Sequence, residues 1–88
     1  MVDLFKMERK SDTPTQARFR ALVTAEASVI EVGHPADERV GPTRLGAMMG
    51  WRQGHDLNGW AARIRREVLE SLGFEKRYDR WVRTSKSG

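Results

Sequence analysis

The sequence predicts a mainly α-helical domain in which three helices are followed by a small C-terminal β-hairpin. Apolar residues recur at three- and four-residue spacing in 19–30, in 45–49 and in 57–72, which indicates helices. In 74–83, apolar and charged side chains alternate around a polar centre, which indicates a hairpin. A chain of 88 residues suits one small domain. We assign it a flexible N-terminal arm, a folded domain and a disordered tail, at 1–12, 13–83 and 84–88.

The basic charge is confined to the second half of the chain. Residues 1–43 hold six Lys or Arg against seven Asp or Glu, whereas residues 44–88 hold ten against five. The second half therefore accounts for the whole net charge of +4. Such an asymmetric field attracts phosphate-bearing partners. A solvated charged face is the alternative explanation, and the positions of the cations have to decide between the two.

Composition disfavours several classes of function. The chain has no cysteine, which excludes disulfides and thiol chemistry, and His34 and His55 alone predict neither a metal site nor a cofactor. Asp56 and Glu67 suit a helix cap and a solvated charge, and no catalytic constellation is recognisable, so we expect no enzymatic activity. Signal-peptide and membrane-span patterns are also missing from the sequence, which predicts a soluble intracellular protein.

The first helix is predicted at 14–31. Thr13 and Gln16 form the pattern of a capping box, and Pro14 suits the first helical position. A glycine and a proline beyond residue 31 give a stop signal. A face of small side chains makes this helix a candidate homodimer surface, through Ala17, Ala21 and Ala25.

A loop at 33–42 separates the first two helices, and Val40 is the one residue in it that we expect to be buried. The second helix is predicted to start with Thr43 as its cap and to end at Gly50. Because a helix of two turns is marginal alone, it has to pack on a neighbour, and we expect that neighbour to be the third helix. Its apolar face consists of Leu45, Met48 and Met49.

The third helix is predicted at 56–72, with Asp56 as its cap and Gly73 just past its end. Its core-facing stripe consists of Leu57, Trp60, Ala61, Ile64, Val68 and Leu72. The opposite face is small near its start and basic in its middle, with Gly59, Ala62, Arg63, Arg66 and Glu70, flanked by Asn58, Arg65 and Leu69.

This outer face suits insertion into a DNA major groove. Small side chains let the helix backbone approach closely, and arginines beside them reach base edges or phosphates. An ordinary amphipathic helix with a charged face would explain Arg63 and Arg66. It would leave the bare patch at Gly59 and Ala62 unexplained.

The hairpin is predicted to turn at Tyr78 and Asp79. Alternation places Phe74 and one or both of Trp81 and Val82 against the third helix. The cations would stand at or near the tip, where a wing grips phosphate, and they are Lys76, Arg77, Arg80 and Arg83.

The three tryptophans have two possible roles, as core residues or as platforms that stack on unpaired bases. Trp60 lies on the apolar stripe of the third helix, and Trp81 alternates onto the inner face of the hairpin. Both are therefore predicted to be core residues. Trp51 lies in the turn before the third helix, and both roles remain open for it.

The stretch TRLGAMMG at 43–50 resembles the first helix of a helix-turn-helix. With LGFEKR at 72–77 and RWV at 80–82, residues 40–83 resemble small winged helix-turn-helix domains of phage and mobile-element proteins. The resemblance implies DNA binding by the third helix, as recognition helix, and by the hairpin, as wing. This hairpin is short and has no glycine at its tip, which favours a grip on the DNA backbone over deep minor-groove insertion.

The leading hypothesis is a double-stranded DNA-binding protein, either a small phage or bacterial transcriptional regulator or a replication accessory factor. Base readout would fall to Asn58, Arg63 and Arg66, with Gln53 and His55 at the helix entry. Phosphates would be held by Arg44, Arg52, Lys76, Arg77, Arg80 and Arg83. The alternative is a protein-interaction module that docks on a host or replication enzyme through the first helix or the Trp51 region.

Overall fold

The computed structural model describes residues 12–51 and 59–85. Within these ranges the chain is mainly helical and ends in a two-stranded antiparallel hairpin, as predicted. The elements are α1 (Pro14–Ser28), α2 (Asp37–Val40), α3 (Pro42–Met48), α4 (Gly59–Ser71), β1 (Phe74–Arg77) and β2 (Arg80–Arg83). No helix of the described part is long and apolar enough to cross a bilayer.

Helix α1 begins with the predicted capping box. The backbone N–H of Gln16 donates to Thr13 Oγ1 at 3.1 Å, and the N–H of Thr13 donates to Gln16 Oε1 at 2.8 Å. The helix ends at Ser28, earlier than the predicted residue 31, and carbonyl groups at and just beyond its end accept hydrogen bonds from a distant side chain. Those of Ser28 and Ile30 accept hydrogen bonds from the guanidinium of Arg83.

Arg20 ties the start of α1 to α4. Its guanidinium lies 2.9 Å from a carboxylate oxygen of Asp12 and 3.1 Å from one of Glu67. The hydrogen bond that Arg20 donates to Asp12, with a smaller contribution from the one to Glu67, raises the pKa of Arg20. Asp12, which the sequence assigns to the arm, is therefore tied to the folded domain.

The predicted loop between the first two helices contains the one-turn helix α2 and a short extended segment. Pro35 forms a bridge to Val82, and the N–H of Ala36 donates to the carbonyl of Trp81 at 2.8 Å. This segment therefore covers the β2 edge of the hairpin. Val40 is fully buried as expected, and Ala36 is fully buried too.

Helix α3 starts two residues earlier than predicted. Gly41 is its N-cap and Pro42 occupies the first turn, so the prediction that Thr43 caps the helix is wrong. Leu45 and Met49 point into the core. The most extensive contact of α3 with another element is with α2, not with the third predicted helix.

Helix α4 packs mainly on α1. Ala61, Ile64 and Val68 are buried, as the apolar stripe predicts. Leu69 is fully buried as well, although the sequence places it on the flank of the outer face. The buried arc of α4 is therefore wider than the predicted stripe, and α4 contacts β1 as well as α1. The predicted cap Asp56 and Leu57 lie outside the described residues.

Aromatic rings fill the space between α1 and α4. Phe19 is fully buried, and its ring centroid lies 5.5 Å from that of Trp51 and 5.6 Å from that of Trp60. The two indole rings meet edge to face at 5.7 Å. Trp51 and Trp60 are half-buried against this core, and Trp81 is buried in the hairpin. The core role predicted for Trp60 and Trp81 is confirmed.

The hairpin has the predicted turn at Tyr78 and Asp79. Its register pairs Phe74 with Arg83 at the base and Arg77 with Arg80 beside the turn. Phe74 is buried against the core together with Trp81. The end of the hairpin that contains Phe74 and Arg83, its base, is therefore packed on the core, and the end that contains the turn, its tip, is exposed.

Arg83 lies at this base, so its predicted position at or near the tip is wrong. Only 4% of the residue is exposed. Its side chain donates to the carbonyl oxygens of Leu72 at 3.1 Å, Ser28 at 3.2 Å and Ile30 at 2.6 Å. These carbonyls come from the ends of α4 and α1, where the helix dipole favours a cation. The guanidinium also lies 5.6 Å from the ring centroid of Phe74.

Gly73 connects α4 to β1 with φ +91°, a conformation that glycine adopts without strain. Its carbonyl accepts hydrogen bonds from the N–H groups of Thr84 at 2.8 Å and Ser85 at 3.2 Å. Thr84 and Ser85, which the sequence assigns to the tail, are therefore hydrogen-bonded to the end of the folded domain. Residues 86–88 lie outside the described part.

Replacing Gly73 with alanine is expected to cost more than about 1 kcal/mol of the free energy of unfolding. The new methyl group would overlap the carbonyl of Ser85 and would force an L-residue into a positive φ. Gly46→Ala is the matched control, because its methyl group would lie at an ordinary 3.8 Å from Trp51 within a helix. Urea unfolding followed by circular dichroism measures both variants. Equal stability of the two variants would show that the connection between α4 and β1 does not require glycine at residue 73.

Candidate nucleic-acid interface

The outer face of α4 carries the side chains that the sequence selects for groove contact. Gly59, Ala62, Arg63, Arg66 and Glu70 are all exposed, as predicted. A methyl group added to Gly59 would meet no atom of the described residues within 4 Å, so among these residues the start of this face is bare. The face therefore passes from small side chains to two arginines within about two helical turns.

The two arginines differ in their neighbours. Arg63 is 57% exposed and lies 4.0 Å from Glu67, whose other oxygen is held by Arg20. An exposed pair of this length contributes only about 0–1 kcal/mol, so a phosphate or a base edge competes with it easily. Arg66 is exposed and has no ion-pair partner within 12–51 and 59–85. Both side chains are available for a ligand.

Arg65, on the flank of this face, has a structural role instead. Its Nε donates to the carbonyl oxygen of Val40 at 2.7 Å. The hydrogen bond ties α4 to the end of α2.

The hairpin tip, which we define as residues 77–80, carries exposed charges of both signs. Arg77 lies 3.3 Å from Glu75, and both side chains are more than half exposed. Lys76 and Arg80 are exposed beside them. Arg83 leaves the candidate surface, because its guanidinium is buried against helix ends. Any contact of the hairpin with phosphate groups would therefore depend on Lys76, Arg77 and Arg80.

Arg44 has a partner on α1. It donates to Glu26 at 3.1 Å and to the carbonyl of Arg39 at 3.1 Å, and Arg39 also contacts Glu26. The hydrogen bond from Arg44 is the main reason that the pKa of Glu26 lies below its usual value. Arg44 remains nearly half exposed, so a phosphate would have to compete with the carboxylate of Glu26.

Four predicted site residues lie outside the described part of the chain. They precede the first described turn of α4 and are Arg52, Gln53, His55 and Asn58. Of the residues assigned to base readout, the structure thus places Arg63 and Arg66, and it places them on one exposed face.

Tyr78 is a feature of this surface that the sequence analysis did not assign to the site. It is fully exposed at the hairpin tip, and its φ is 60°. The sequence did contain a signal for this residue, namely an aromatic side chain in a predicted turn with cationic residues on both sides.

A separate surface lies at the end of α1. Val29 is 60% exposed and Val32 is 50% exposed. An open groove of about 360 Å³ includes Val29 but not Val32, and it is lined by Val29, Ile30, Glu31, His34, Pro35 and Arg39. The described residues contain no group of three His, Asp or Glu side chains that could hold a metal ion.

No protein-family model, curated protein or solved structure matches this chain. The functional assignment therefore rests on the surface itself.

Proposed function

We propose that this protein binds double-stranded DNA as a winged helix-turn-helix, acting as a small phage or bacterial regulator or as a replication accessory factor. The recognition helix, described as α4 at Gly59–Ser71, would lie in the major groove, and the hairpin at 74–83 would contact the backbone. The observation that carries the proposal is the exposed face of α4, bare at Gly59 and Ala62 and basic at Arg63 and Arg66.

The dimensions and the chemistry of the two surfaces agree. A major groove about 12 Å wide admits an α-helix. The helix backbone can approach the bases most closely where its side chains are small. Arginine then pairs with guanine through two hydrogen bonds, which gives sequence preference. The exposed cations of the hairpin follow α4 directly in the chain, where they would hold phosphates and fix the register.

Alanine substitutions should separate base readout from phosphate contact. Arg63→Ala and Arg66→Ala are expected to reduce the preference for the best site by about 5- to 140-fold, the effect of one bidentate contact. Arg77→Ala and Arg80→Ala are expected to weaken all duplexes alike and to lower the salt dependence of binding by about one counterion.

The measurement starts with selection of bound sequences from a random duplex pool. Salt-titrated mobility shifts with the selected site and a scrambled one then compare the variants. Arg18→Ala is the charge-matched control, because Arg18 is exposed on α1 and outside the proposed surface. Equal loss of sequence preference in both groups of variants would remove the division of roles.

The second candidate function is a protein-interaction module. The exposed Val29 and Val32, next to the groove at the end of α1, favour it. Elution from heparin at low salt, with no duplex shifted, would support this function over DNA binding.

A homodimer through Ala17, Ala21 and Ala25, all exposed on α1, would place two recognition helices on half-sites about one helical turn apart.

A further inference from the structure

The hairpin tip ends in an aromatic side chain that contributes nothing to the core. Tyr78 is 100% exposed, whereas Phe19, Phe74 and the three tryptophans are buried or half-buried. A tyrosine in water loses the apolar burial that usually accounts for its presence in a fold.

The backbone at Tyr78 adds a second cost. Tyr78 is the first of the two turn residues, and its φ of 60° is the only positive φ of a non-glycine residue in the described part. A two-residue hairpin with a positive φ at this position alone is a type II′ turn, in which glycine is strongly preferred. Folding alone therefore favours glycine here, and an exposed tyrosine needs another explanation.

The neighbours of Tyr78 indicate what its ring contacts. Lys76, Arg77 and Arg80 are exposed on the strands that lead to and from the turn. An aromatic ring among cations is the arrangement by which proteins hold unpaired nucleotides, since the ring stacks on a base and the cations hold the adjacent phosphates.

We infer that Tyr78 stacks on a base whose face is open, so that the preferred ligand is a duplex bordered by single-stranded nucleotides. The inference rests on the proposed DNA binding by α4 and names its substrate more closely. Inside a continuous duplex both faces of every base are covered, and a wedge has to unstack them first. At a junction with a single strand the face is open, and the tip reaches it while α4 occupies the adjacent groove.

The experiment compares two DNAs that carry the same selected site. One is a linear duplex with a single-stranded overhang next to the site, and the other is a relaxed, covalently closed circle without ends. The wild-type protein is expected to bind the overhang DNA about 5- to 140-fold more tightly, the effect of one base stacked on an aromatic ring. A 2-aminopurine at the first unpaired position reports the stacking directly through its fluorescence.

Tyr78→Gly is the informative variant because the turn favours glycine. Its thermal unfolding temperature is expected to equal or exceed that of the wild type, while its preference for the overhang and the 2-aminopurine signal are lost. Tyr78→Phe keeps the ring and is expected to keep both. Arg63→Ala is expected to weaken both DNAs in the same proportion, because it acts in the groove.

Two results would overturn the inference in distinguishable ways. Equal affinity of the wild type for both DNAs, or an unchanged preference in Tyr78→Gly, removes the stacking role and leaves duplex binding intact. Failure of the wild type to bind either DNA removes the proposed function itself, and the role of Tyr78 with it.

Discussion

Replacing Phe19 with alanine is expected to lower the free energy of unfolding by about 3–5 kcal/mol, the usual cost of truncating a buried phenylalanine. The ring is fully buried and contacts both Trp51 and Trp60, with centroids 5.5 Å and 5.6 Å away. Its loss removes the shared partner of two indoles and leaves a cavity between α1 and α4. Since small domains are stable by only about 5–15 kcal/mol, much of the population should unfold on mild heating.

Urea unfolding followed by far-ultraviolet circular dichroism measures this loss without relying on the tryptophans that Phe19 contacts. Val29→Ala is the control, because Val29, the C-cap residue of α1, is 60% exposed and its substitution should change stability by no more than about 0.5 kcal/mol. A Phe19→Ala variant as stable as Val29→Ala would show that the aromatic cluster does not organise the core.

Replacing Arg83 with methionine is expected to cost about 3 kcal/mol, since each hydrogen bond to a charged group contributes about 1.5–3 kcal/mol and the apolar chain recovers part of the packing. The carbonyls of Ser28, Ile30 and Leu72 would lose their donor in a buried site. The stability of Arg83→Lys should lie between that of the wild type and that of Arg83→Met. An ammonium group keeps the charge at the helix ends but lacks the planar, forked donors of a guanidinium.

Arg77→Met is the matched control for Arg83→Met, because its exposed contact with Glu75 contributes only about 0–1 kcal/mol. Urea unfolding separates the two. The salt dependence of DNA binding, measured where both variants are folded, should change in Arg77→Met and not in Arg83→Met. Equal stability of these variants, or a lower salt dependence in Arg83→Met, would contradict the structural role assigned to Arg83.

Local patterns were sufficient to predict much of this fold. The capping box at Thr13 and Gln16 predicted the start of α1 because both partners of its hydrogen bonds lie within one turn. The turn at Tyr78 and Asp79 followed from alternation on both sides of it. Helical periodicity separated the core-facing Ile64 from the exposed Arg63 and Arg66.

Features that depend on distant partners were not predictable in the same way. Alternation cannot show that the ends of α1 and α4 converge beside β2, so Arg83 resembled the exposed cations around it. Leu69 is fully buried, although helical periodicity places it on the flank, in a fold where α4 contacts both α1 and β1. The early start of α3 reflects the choice between Gly41 and Thr43 as cap, which the adjacent Pro42 decides.

The site shows the same division. The exposed face of α4 was predicted from the period of one helix, whereas the role of Tyr78 becomes visible only when its exposure and backbone conformation are known together. DNA binding by the face of α4 and by the hairpin tip stays a prediction.

The hydrogen bonds of Arg83 also have a consequence for the order of folding during synthesis. They join residues that are 55 and 53 positions apart in the chain, and the extended segment at 33–36 pairs with the same strand. A nascent chain can form α1 as soon as it leaves the ribosome, but the end of that helix finds its donor only after residue 83 has emerged. Contacts of such separation form late because closing a long loop costs entropy first. Cooperative folding of the domain therefore requires that β2 has left the ribosome, and ribosome-bound chains that stop short of β2 should remain sensitive to proteases.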